Sequence, residues 1–119
     1  MIDKSLKADT GPQLVPGEER RRSQRVMVRT AVTLHYVAQG KQIGVPAYTI
    51  SVNDHGAMVL SPRDFPVGTR LEIEHTRTGQ RVPCHVARAS REIGEGFQVP
   101  LEFEKPAPGF WHINFPPTA

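Results

Sequence analysis

From Val26 onward, apolar residues recur at every second position, in short runs separated by glycine and proline. Residues 26–38 place Val26, Val28, Thr30, Val32, Leu34 and Tyr36 on one face and Met27, Arg29, Ala31, Thr33 and His35 on the other. That alternation marks a half-buried strand. Residues 39–44 supply turn chemistry, and 45–52 read as a second strand with Pro46 near its start. NDHG at 53–56 is a turn, 56–62 a short third strand, and 62–70 a loop holding two prolines and a glycine. Residues 70–76 alternate again, with Leu71 and Ile73 inward and Glu72 and Glu74 outward. The turn 77–80 joins them to 81–90, the clearest hairpin in the chain. After a turn at 91–96, the last strand, 97–104, aligns Phe97, Val99, Leu101 and Phe103 on one face. No segment carries a sustained helical period. Six strands at regular spacing suggest an all-β closed barrel or a sandwich, and closure removes exposed edges.

Composition narrows the setting. With 119 residues the chain fits one domain and can bury a core without staples. Its single cysteine, Cys84, excludes an internal disulfide and points to a reducing compartment. No apolar run is long enough to cross a membrane, and the first residues lack the apolar stretch of a secretory signal, so the expected address is the cytoplasm. The expected organisation is a flexible tail over 1–19, a barrel domain over 20–105 and a proline-broken aromatic segment over 106–119. Phe110, Trp111 and Phe115 in that last segment are expected to pack over one barrel opening.

Charge changes the picture locally. The net charge of +3 is mild, yet Arg20, Arg21, Arg22 and Arg25 fall within six positions, directly ahead of the first strand. An arginine cluster suits an anionic partner, because the planar fork bonds phosphate bidentately and also pairs with or stacks on guanine. Further along, Ser51-Val52-Asn53-Asp54-His55-Gly56 joins the second strand to the third through a polar turn.

This order and spacing resemble the PilZ domain family, from about Arg20 to Phe103. Its members carry R-x-x-x-R before the first barrel strand, met here by Arg21 and Arg25 with Arg22 between, and D/N-x-S-x-x-G between the second and third strands. The resemblance implies a small six-stranded antiparallel β-barrel that binds cyclic di-GMP, a bacterial second messenger. It implies a site formed by Arg21, Arg22, Arg25, Ser51, Asn53 and Gly56, and a binding event that orders the N-terminal segment against the barrel for a partner to read. Ser51 stands where Asp or Asn is expected, and Asn53 where Ser is expected. Losing an acceptor for a guanine N–H costs ~1–3 kcal/mol, or about tenfold to a hundredfold in affinity. A degenerate barrel that binds only a protein partner is therefore the alternative.

Other chemistry is thin. The histidines and Cys84 show no zinc spacing, and Cys84 and His85 should face opposite sides of one strand, with Cys84 in the core. No nucleophile, phosphate loop or paired carboxylates suggest an enzyme, and no cofactor is expected. Nucleic acid is a poor fit, because the strands alternate with acids and carry few aromatics.

Overall fold

A computed structural model describes residues 24–113. The proposed tail 1–19, Arg21, Arg22 and Phe115 lie outside the described residues. Within them the strands are β1 (Val26–Met27), β2 (Ala31–Ala38), β3 (Lys41–Asn53), β4 (Gly56–Ser61), β5 (Arg70–His75), β6 (Arg81–Val86), β7 (Arg91–Ile93) and β8 (Gly96–Phe103). Six of these pair in the order β3-β2-β5-β6-β8-β4, and β4 returns to β3, so the sheet closes into an antiparallel barrel. β1 adds to β3, and β7 adds to β8.

The inward faces are those the alternation marks. Val32, Leu34, Leu71, Ile73, Val99, Leu101 and Phe103 are buried, and Val28, Tyr36 and Phe97 pack against them. Each fully buried aliphatic side chain contributes about 1.5–3 kcal/mol. Cys84 is in the core, where burial pushes its thiol up to about 12, so the sulfur is neutral packing material. On the opposite face, His85 Nδ1 lies 3.2 Å from Glu104 Oε2.

Three departures from the sequence pattern matter. First, the run 26–38 is split. Between Val26 and Ala31 the chain takes five steps while β3 takes four, from Val52 to Tyr48. Thr49 staples the extra residue: its hydroxyl donates to Val28 O at 2.6 Å and accepts from Thr30 N at 2.8 Å. Second, the turn predicted over 39–44 shrinks to Gln39-Gly40, with φ of 52° and 75°. This pair of left-handed residues matches the twist of a tight hairpin, so β3 starts at Lys41. Third, the strand predicted over 81–90 stops at Val86, and part of the predicted turn 91–96 is the short strand β7.

Aromatic side chains fill both barrel ends. At one, where β5 and β8 end and β3 turns into β4, Phe110 and Trp111 are 0% and 3% exposed and contact Phe103 and His75. At the other, Phe65 of the 62–70 loop is buried and meets Tyr36 edge-on at 5.2 Å. Phe65 sits among prolines, off any strand, so periodicity did not mark it as core.

Candidate functional site

The polar turn between β3 and β4 is held from three sides. Asn53 Oδ1 accepts from His55 N at 2.9 Å, the side-chain turn that asparagine makes readily. Its three successive carbonyls are also engaged. Asn53 O accepts from Trp111 Nε1 at 3.0 Å, Asp54 O from Ala107 N at 2.9 Å and His55 O from Phe103 N at 2.7 Å. β8 and the segment after it therefore fix the turn by three backbone carbonyls.

A bulge sets which residues face out. Thr49 stands opposite Val59 and Ser51 opposite Met58, so β3 carries Ile50 as an extra residue. Extra residues re-aim the side chains beyond them. Val52 thereby enters the core, and its neighbours Ser51 and Asn53 belong to the opposite face.

Beside the turn lies an open cleft of about 180 Å³. Arg25, Asn53 and Gly56 all line it, so one residue of the arginine cluster meets two of the polar motif. Ser51 is buried at 6% exposure and does not line the cleft. Three further charged or titratable residues do: His55, Arg88 and Glu102. Arg88 follows the end of β6, and Glu102 stands opposite Gly56 across the β4–β8 pair. Sequence spacing carried no signal for either, since they join the motif only through barrel closure.

Gly56 has a structural duty of its own. A Cβ there would lie 2.1 Å from Leu101 O, so the close approach of β4 to β8 requires glycine. This motif glycine makes room for the neighbouring strand.

Larger concavities exist among the described residues: one of about 380 Å³ shares Arg88 and Pro100 with the cleft, and two lie elsewhere. One of about 390 Å³ runs beside His35, Tyr36 and Arg70, where Glu74 Oε1 is 2.6 Å from His35 Nε2. Another of about 470 Å³ is bordered by Arg29, His75, Arg77 and Trp111. Neither contains the residues that the two motifs single out. Among the described residues no group of three or more His, Cys, Asp or Glu is placed to hold a metal, and no helix is long and apolar enough to cross a membrane.

No curated protein matches this chain. The sequence pattern of the PilZ domain matches residues 19–109, which takes in both motifs, all eight strands and the start of the aromatic segment. With that match, a closed six-stranded antiparallel barrel and an arginine meeting the polar turn in one cleft, the chain belongs to the PilZ domain family, a family of cyclic di-GMP receptor domains.

Proposed function

We propose that this domain is a cyclic di-GMP receptor whose site is the cleft at the β3–β4 turn, completed by Arg21 and Arg22. The observation that carries the reading is the meeting of Arg25 with Asn53 and Gly56 in one cleft, although the two motifs are far apart in sequence. A cleft of about 180 Å³ is smaller than the ~300–1,000 Å³ typical for enclosing a whole drug-sized ligand. It suits one base, with the remaining nucleotide lying over the barrel wall. Arginine forks on the segment ahead of β1 then close on phosphate or on a guanine edge. In this reading, that closure is the output: it changes the path of the N-terminal segment, which a protein partner senses.

The test is isothermal titration with cyclic di-GMP, with GTP as control. Wild-type protein should bind cyclic di-GMP selectively. Arg21→Ala and Arg25→Ala should each lower affinity about tenfold to a hundredfold, the worth of a charge-assisted hydrogen bond, with unchanged melting temperature. Unchanged affinity in both variants would refute the site.

One observation favours a second reading. Ser51 is buried away from the cleft, and Asn53 Oδ1 is already engaged by His55 N. A domain that has lost the nucleotide would act as a protein adaptor. It would show no heat with several hundred micromolar cyclic di-GMP, and its capture of a partner would be indifferent to the nucleotide.

A further inference from the structure

We propose that Glu102 is the guanine-specifying residue of this site, supplying from β8 the carboxylate that the β3–β4 motif lacks. The inference rests on the nucleotide-binding reading above.

Guanine presents two adjacent donors on its pairing edge, N1–H and the N2 amino group. A carboxylate is their natural partner, since it offers two acceptor oxygens and no donor. Ser51 offers neither, being a buried hydroxyl off the cleft. Asn53 presents an amide whose oxygen accepts from His55 N. Among the described residues lining the cleft, Glu102 is the acidic side chain.

Its placement follows from strand register. Glu102 pairs with Gly56 of β4 on one side and with His85 of β6 on the other. Gly56 carries no side chain, so β4 sets no group of its own at this position beside the carboxylate. On the β6 side, His85 Nε2 is 3.6 Å from Glu102 Oε1 and backs the carboxylate. The Glu102 side chain is 40% exposed, within reach of an incoming ligand. Arg25 and Arg88 share the same cleft and suit the acceptors of the ligand, guanine O6 and N7 or the phosphates. Donor and acceptor groups of the cleft thus complement guanine on both edges.

Specificity follows by the same chemistry. Adenine turns an N1 lone pair toward the position of the guanine N1–H, so a carboxylate facing it is repelled and left unpaired. Rejecting the wrong partner in this way is as informative as binding the right one. A well-matched bidentate pair discriminates by about 1–3 kcal/mol, or roughly fivefold to 150-fold.

The experiment compares wild type and Glu102→Gln for binding of cyclic di-GMP and cyclic di-AMP by isothermal titration, with melting temperature as the check of folding. Glutamine keeps the shape but replaces one acceptor by a donor. It should lower cyclic di-GMP affinity about tenfold or more and narrow or reverse the preference over cyclic di-AMP. If the variant keeps both affinity and preference within about twofold, Glu102 is not the determinant, although the receptor reading stands. If it binds both nucleotides more tightly by the same factor, the carboxylate merely opposes the phosphates, and the proposal falls. If folded wild-type protein binds no cyclic di-GMP, the receptor reading and this assignment fall together.

Discussion

Replacing Gly56 by alanine would set a Cβ 2.1 Å from a backbone oxygen of β8, and backbone cannot swing aside as a flexible side chain can. The expected cost is about 1–3 kcal/mol of stability, as for other overpacked sites, read by chemical denaturation. A loss under ~0.5 kcal/mol would mean that β4 and β8 separate easily and that the glycine serves the ligand alone. This single position explains why loss of binding in a glycine variant does not by itself identify a contact. Arg25 and Glu102 are sounder probes, because Arg25 is exposed and the Glu102 side chain is 40% exposed.

Among the elements, the β3–β4 turn and the segment after β8 act as one unit. Trp111, the chain's single tryptophan, donates its indole N–H to Asn53 O, within the motif that lines the cleft. Trp111→Phe would keep an aromatic ring beside Phe110 and Phe103 but remove the donor. An unsatisfied buried carbonyl costs about 1–3 kcal/mol, so a stability loss of that order is expected. Cyclic di-GMP affinity should fall as well, because a looser turn must be ordered by the ligand. If stability drops and affinity does not, the turn is ordered without help from the C-terminal segment.

For the whole molecule, the packed barrel end makes stability depend on pH. His75 is 3% exposed, against Phe110 and Trp111, and its Nδ1 has no hydrogen-bond partner among the described residues. Burial holds its pKa below the ordinary value, and Arg77 and His112 add to the effect by charge repulsion. The unfolded chain takes up a proton near pH 6.5, whereas the folded chain resists it. Stability from this group is therefore complete above about pH 6.5 and declines as pH falls below it. Denaturation midpoints of wild type should drop between about pH 7 and 5 more steeply than those of His75→Phe, which has no proton to bind at that position. Parallel pH curves for the two proteins would mean that the buried imidazole does not drive the loss.

Much of this architecture is legible in the sequence alone. Alternation in 26–38, 70–76 and 97–104 named the inward faces, because a strand with one face in the core and one in water must alternate. Arg25, Asn53 and Gly56 were legible from motif spacing, and they line one cleft. Other features had no local signature. The Ile50 bulge depends on register against β4, so only pairing reveals that Val52, not Ser51, continues the inward row of Val45 and Ala47. Phe65 is a core residue because its loop folds over a barrel end, where no period constrains it. Arg88 and Glu102 reach the cleft because β8 closes the barrel between β6 and β4. Local sequence decides which way each side chain points along its strand; only the closed sheet decides which distant side chains become neighbours, since that depends on pairing partners no single segment contains.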